Sequence, residues 1–429
     1  MRFDPPSVPT WGDRLPDFLL LVGEDRWWRR AEQLLKEANR SPYRAKIVED
    51  AHWLEMELSH QLVFLRERGM LDSQDMGFRS RAALLFAATV VEVHRRLSRA
   101  GQVSLIGRLR DGLNSGFAGL YLEMDTAHGL LADGFEVAFP DFEGEAQYDL
   151  QFSRGTVCGE VECKSLSADA GRKIHRRDFY RFIDALAPDT FQNKSIQHPV
   201  LIIVLNDRLA TDDARQRELC EAATRAFARP GDIVTNALGS IRCEAMPVPL
   251  FERLSASPAD GYAACREAYG DNCHVAGAFI EEGGCIVVMR SLRVDDHSKP
   301  QIQAIKDAAA QLSSAHPGIV AIQYEDIVTS DLTRPHVRRR AALLANSLFH
   351  DPRGKYSHIA AVYHCAFGGF YNYANVIVRP AFVGWNPNWK GSVHGMPFRD
   401  TIPNSEFAKL LGVDPSATDP DDFQYGVGL

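Results

Sequence analysis

The sequence predicts a mixed α/β protein with a helical N-terminal region and a C-terminal α/β region. Three observations carry this reading: apolar residues recur at helical spacing over the first hundred positions, three strand-like segments cluster after Asp133-Gly134, and helices alternate with apolar strands toward the C-terminus. A chain of 429 residues is long enough for two or three domains, which we place at 1–105 (helical), 106–235 (central) and 236–429 (α/β with an acidic tail). Hydrophobic residues make up 45% and charged residues 24%, which excludes a largely disordered chain. The net charge of −8 excludes attraction of the whole surface to nucleic acid or anionic membrane, so any polyanion site must be a local patch.

In the first region, Trp27, Ala31, Leu34 and Leu35, then Trp53, Leu54, Leu58, Leu62 and Leu65, fall at three- and four-residue spacing and predict helices as far as Arg99. The longest apolar run, 82–91, stops at Glu92, short of the roughly 20 residues a membrane span needs. The first residues, Met1-Arg2-Phe3-Asp4-Pro5-Pro6, lack the apolar segment of a secretory signal, which predicts a cytoplasmic protein with no membrane partner. Eight cysteines without a Cys-x-x-Cys pair predict reduced, buried thiols.

A helix over 113–132 should stop at Asp133-Gly134 and lead into a strand at 135–139. Two further strands, 147–152 and 157–164, flank the turn Ser153-Arg154-Gly155-Thr156 and predict a hairpin. A basic helix over 172–186 and an all-apolar strand at 199–205, covered on both faces, come next. Beyond a helix at 212–228, the pattern predicts a hairpin around Gly283-Gly284. Helix 301–312, strand 319–323, helix 337–349 and strand 359–365 then read as a second α/β unit, ahead of an acidic, Pro-rich tail at 414–422.

The chemistry concentrates in the hairpin. Strand periodicity puts Gln147, Asp149 and Gln151 on one face, with Tyr148, Leu150 and Phe152 on the other; in the next strand Glu160, Glu162 and Lys164 share a face opposite Val161 and Cys163. With Arg154-Gly155 as the two-residue loop, Asp149 faces Glu160 and lies diagonal to Glu162, about 7–8 Å away and bridgeable by a shared ligand. Asp149, Glu162 and the Cys163 carbonyl suit a hard divalent cation, magnesium in the first place and manganese as the alternative, with positions left for water and a phosphate oxygen. Lys164 would orient that water or neutralise developing charge. Glu160 is read as a solvated neighbour, with an extra ligand as the alternative, and Glu162 and Lys164 as rim residues.

Asp149 followed by Glu162-Cys163-Lys164, in a helix–strand–strand–strand–helix–strand order over 113–205, resembles the PD-(D/E)XK nuclease superfamily. The resemblance implies a restriction-endonuclease-like αβββαβ core and metal-dependent phosphodiester cleavage, with Asp149 and Glu162 as metal ligands and Lys164 as the catalytic lysine. Members often add a carboxylate from the first helix; Glu123 holds that place, with Asp125 as the weaker substitute. Tyr148 stands where a proline may precede the aspartate.

The segment 171–181 carries Arg172, Lys173, Arg176, Arg177 and Arg181 against Asp178, and predicts phosphate contact, with Lys173, Arg177 and Arg181 on one helix face. A weaker cluster spans Arg334 to Arg340. Histidines 350, 358, 364 and 394 show no metal-ligand spacing, and Phe367-Gly368-Gly369-Phe370 is not a phosphate loop. No Ser/Cys–His motif supports a metal-independent hydrolase. The sequence therefore predicts a magnesium-dependent endonuclease acting on nucleic acid, with DNA as the expected substrate and flanking regions available for self-association or a protein partner. The alternative is a catalytically silent nuclease-fold protein that binds nucleic acid or a partner.

Overall fold

The computed structural model describes residues 11–398 apart from 72–76, 168, 191–197, 257, 271, 281–282, 297, 326–334, 367–370, 374–375, 379–380 and 392–394. The acidic tail, the Gly368-Gly369 pair, His394 and Arg334 lie outside the described residues. Among those described, no helix is long and apolar enough to cross a membrane.

The chain forms two compact units, one of Met1–Gln33, His52–Ala170 and Ser298–Leu429, the other of Leu34–Ala51 and Gly171–His297. It opens with α1 (Trp11–Val22), α2 (Glu24–Ala38), α3 (Pro42–Ala51), α4 (Trp53–Arg68), α5 (Phe78–His94), α6 (Arg99–Ser115) and α7 (Ala118–Ala132). The helix expected over 113–132 is thus broken at Gly116, whose φ of 92° ends α6. Next come β1 (Glu136–Ala138), α8 (Pro140–Glu143), β2 (Leu150–Arg154) and β3 (Val157–Leu166).

The second unit inserts α9 (Arg176–Thr190), β4 (Pro199–Leu205), α10 (Asp213–Ala228), β5 (Ile233–Thr235), β6 (Gly239–Ala245), α11 (Val248–Ala256), α12 (Pro258–Tyr269), β7 (His274–Ile280) and β8 (Gly283–Ser291). The chain then returns to the first unit with α13 (Ser298–Gln311), β9 (Gly318–Tyr324), α14 (Pro335–Phe349), β10 (Ile359–Ala366), β11 (Tyr371–Tyr373), β12 (Val376–Val378) and β13 (Ala381–Trp385).

In the first unit the strand order is β1-β2-β3-β9-β10-β13, with β3, β9 and β10 mutually parallel and the outer pairs antiparallel. Ile319 and Ala321 join one core with α1, α5, α6 and α7, while Val320, Ile322 and Tyr324 join another with α13 and α14. Alternating side chains of one apolar strand thus fill both layers.

The second unit holds a separate sheet, β5-β6-β4-β8-β7. Its central β4 is buried on both faces, Leu201, Ile203 and Leu205 against α9 and α10, Val200 and Ile202 against α11 and α12. That double burial explains the unbroken apolar run. It also corrects the expected topology: β4 does not extend the β1–β2–β3 sheet, whose crossover runs through α13 to β9. Of the later strands, β9, β10 and β13 complete the first sheet instead of forming a unit of their own, while β11 and β12 pair in a two-stranded sheet. The compact units are likewise cut differently from the expected regions, since position 235 falls inside β5 and position 105 inside α6. Asp296 N–H donates to the Gly171 carbonyl at 2.9 Å, so the two ends of the insertion meet.

Close packing along β3 can be tested at Gly159, where a Cβ would meet the Phe152 ring at 2.5 Å and the Pro317 carbonyl oxygen at 3.0 Å. Gly159→Val should destabilise the protein by about 1–3 kcal/mol through overpacking. Gly107→Ala, in α6 with nothing within 4 Å of the added carbon, should be neutral or stabilise by up to about 1 kcal/mol. Urea unfolding of both variants checks the contrast, and equal midpoints would contradict it.

Candidate active site

The β2–β3 hairpin turns at Gly155-Thr156, with Gly155 at φ 60°, and pairs Leu150 with Val161 and Gln151 with Glu160. One residue further along that register, Asp149 stands opposite Glu162; the turn lies one residue later than expected, so Asp149 is not paired with Glu160. Asp149 precedes β2 in a bend, and this breaks the expected alternation: Tyr148 packs in the α13–α14 core whereas Leu150 and Phe152 pack in the opposite one. The bend lets Asp149 Oδ2 accept the Cys163 N–H at 2.7 Å, so the aspartate stands where β2 would have continued the ladder. In a strand, a residue's N–H and C=O face one edge, which puts the Cys163 carbonyl on the same edge as Asp149. The Cys163 side chain points into the apolar core, where burial first and the neighbouring carboxylates second push its thiol pKa well up.

Glu162 is 2% exposed and Asp149 8% exposed, so the expected rim position does not hold for the glutamate. Burial and the Asp149 charge raise the Glu162 carboxyl to about 8, against the opposing pull of Lys164. Burial likewise raises Asp149 to about 6, countered by the Cys163 N–H, Arg108 and Lys164. Lys164 Nζ donates to Glu162 Oε1 at 2.6 Å and to Gln311 Oε1 at the end of α13, so the ammonium is held from two elements. Glu162 Oε2 is buried with no hydrogen-bond partner.

Glu160 is fully buried rather than solvated: its oxygens accept the Ser313 N–H at 2.8 Å and the Ser313 hydroxyl. It secures the turn after α13 and is closed to a ligand. Glu123, on α7 and 4% exposed, joins the cluster electrostatically: burial and then Asp149 raise its carboxyl well above the usual range, with Arg108 opposing. Sequence reasoning missed Arg108 and Asp141. Arg108 Nη2 on α6 donates to Glu123 Oε1, and its Nη1 donates to Asp141 Oδ2 at 3.1 Å. Among the described residues, no three His, Cys, Asp or Glu side chains are grouped as a ready metal site.

The basic segment belongs to the inserted unit. Its helix begins at Arg176, so Arg172 and Lys173 precede it and the expected face loses Lys173, whose N–H donates to Asp295 Oδ1 at 2.7 Å. Arg177 is exposed, Arg181 lies 3.8 Å from Asp178, and Arg172 and Arg176 are engaged in further interactions. Ile174, Phe179 and Phe182 are buried in that unit's core. Two of the C-terminal histidines make internal contacts: His364 Nδ1 lies 2.9 Å from the Tyr324 hydroxyl, and burial lowers its pKa to about 3. His358 Nε2 lies 3.0 Å from the Ala309 carbonyl oxygen. None of the eight cysteines forms a disulfide, and only Cys158 and Cys220 are partly exposed.

Compared with known proteins, the chain matches no family model, no curated protein and no solved structure.

Two acids with raised pKa make stability depend on pH. Asp149 goes from 3.8 to about 6 and Glu162 from 4.5 to about 8, so between those values the folded state holds more protons than the unfolded one. Their contribution is fully present below about pH 4 and is lost as the pH rises through 6 and then 8. In chelator-treated buffer, the wild-type Tm should fall from pH 5 to pH 8, and Glu162→Gln should flatten that fall. Identical slopes for the two proteins would contradict the burial argument.

Proposed function

We propose that the protein is a divalent-metal-dependent nuclease whose catalytic group is Asp149, Glu162 and Lys164. The observation that carries this reading is the unpartnered, buried Oε2 of Glu162 beside Asp149 and Lys164. A carboxylate oxygen buried without a donor is costly, and a cation is the partner that two adjacent acids most need. The donor set fits magnesium or manganese: carboxylate oxygens of Asp149 and Glu162, with the Cys163 carbonyl on the same strand edge. When bound, the cation would lower the pKa of water and stabilise charge on the phosphodiester.

The chain's own residues supply the rest. Lys164, fixed by Glu162 and Gln311, offers its remaining ammonium proton to the attacking water or to a phosphate oxygen as negative charge grows. Water adds to phosphorus, the P–O bond to the leaving sugar oxygen breaks, and that oxygen takes up a proton. The reading takes α7, β1, β2, β3, α13 and β9 as the helix–strand–strand–strand–helix–strand order, with short α8 between β1 and β2 and a whole unit inserted between β3 and α13. DNA is the proposed substrate, with the inserted unit's Arg172, Lys173, Arg176, Arg177 and Arg181 as phosphate contacts.

The second reading, a silent nuclease-fold binder, draws on Glu123, which Arg108 already engages. Incubation with plasmid, linear DNA and RNA, with and without magnesium, separates the two. Cleavage that needs metal and falls at least about 100-fold in Glu162→Gln and Lys164→Ala is expected. No cleavage of any substrate, with DNA binding retained, favours the binder.

Charge reversal at Lys173 and Arg177 should weaken DNA binding and flatten its salt dependence, by about one unit of slope per lost phosphate contact. An unchanged slope would return the segment to an ordinary solvated surface.

A further inference from the structure

Arg108 has no part in the cleavage reading, yet two carboxylates hold it. Its guanidinium bridges Glu123 on α7 and Asp141 on α8, lies 5.9 Å from the centre of the Phe142 ring, and feels the charge of Asp149 as well. Glu123 is buried, and Arg108, which donates to its Oε1, is the partner that opposes the upward push of burial and of Asp149 on its carboxyl. Glu162, also buried, has Lys164 on Oε1 and no hydrogen-bond partner on Oε2. Arg108 and Lys164 thus each answer one carboxylate, and one glutamate oxygen is left without a partner.

We infer that Arg108 is an exchangeable internal counter-cation, which holds Glu123 and yields it to a divalent cation that binds Asp149 and Glu162. The inference rests on the cation-site reading above. A guanidinium and a metal ion compete for the same carboxylate, so Arg108 weakens metal binding by the work of displacing it. A static bridge that joined α6 to α7 and oriented Glu123 would do the opposite, because its loss would disorder a ligand.

Mn2+ titration of the full chain at pH 7.5, read as free Mn2+ by electron paramagnetic resonance, separates these. Arg108→Gln should bind Mn2+ about tenfold more tightly than wild type, since one competing charge is gone. Arg108→Lys, which keeps the charge, should stay nearer to wild type, and Asp149→Asn should lose the site. A second measurement needs no variant. Modification of Arg108 by p-hydroxyphenylglyoxal, followed by peptide mapping, should be several-fold faster in saturating Mn2+, while the exposed Arg110 reacts at the same rate throughout. Should Arg108→Gln fail to fold, this labelling result decides. Equal or weaker Mn2+ binding by folded Arg108→Gln, or labelling that ignores the ion, overturns the exchange and leaves the cation site standing if Asp149→Asn still abolishes binding. Absence of saturable Mn2+ binding in wild type overturns both.

Discussion

Two glutamates on one face of one interior strand set the terms for the rest of the first unit. Glu160 and Glu162 are both buried in β3, and a carboxylate out of water costs several kcal/mol unless something answers its charge or its lone pairs. The two are answered differently. Glu160 is closed off by the backbone and hydroxyl of Ser313, whereas Glu162 has Lys164 on Oε1, the Asp149 backbone beside its carboxyl, and no well-aligned hydrogen-bond partner on Oε2. Gln311 and Ser313, two positions apart at the end of α13, respectively steady the lysine and seal the structural glutamate. The parallel pairing of β3 with β9, and the return of α13 over the sheet, are thus what make one acid structural and leave its neighbour open to chemistry.

The two helical layers divide the remaining work. On one side α6, α7 and α8 deliver Arg108, Glu123 and Asp141; on the other α13 delivers Gln311. The bend before β2 inserts Asp149 between these sets by giving up a ladder position and using the Cys163 N–H as its anchor. Because the ends of the inserted unit meet at Gly171 and Asp296, the chain can carry a separate five-stranded sheet between β3 and α13 without disturbing the register on which the site depends.

Much of this was legible locally. The Glu-x-Lys strand, the aspartate ahead of it, the stop at Asp133-Gly134 and the two-face burial of β4 all follow from period and turn chemistry. The partner of β3 was not legible. Both 176–205 and 298–324 read as a helix followed by an apolar strand, and only long-range pairing tells which of them crosses over. The turn position was missed by one residue because Gly155 can serve in either slot, and that slip moved Asp149 from Glu162 to Glu160. Arg108 and Asp141 sit 33 positions apart with no spacing signature, and Ser313 marks Glu160 as structural only once α13 is folded back. Burial of Glu162 was hidden for the same reason: strand periodicity assigns a face and does not say what covers it.

The central claim is that Asp149 and Glu162 form a cation site whose glutamate desolvation keeps protonated at neutral pH until a cation displaces the proton. Calorimetric titration with Mn2+ at pH 7, repeated in buffers of different ionisation enthalpy, counts the protons that leave as the ion enters. With Glu162 at about 8 and Asp149 at about 6, binding should release about one proton per ion at pH 7 and almost none at pH 9. Mn2+ that binds at pH 7 without releasing a proton would contradict the account.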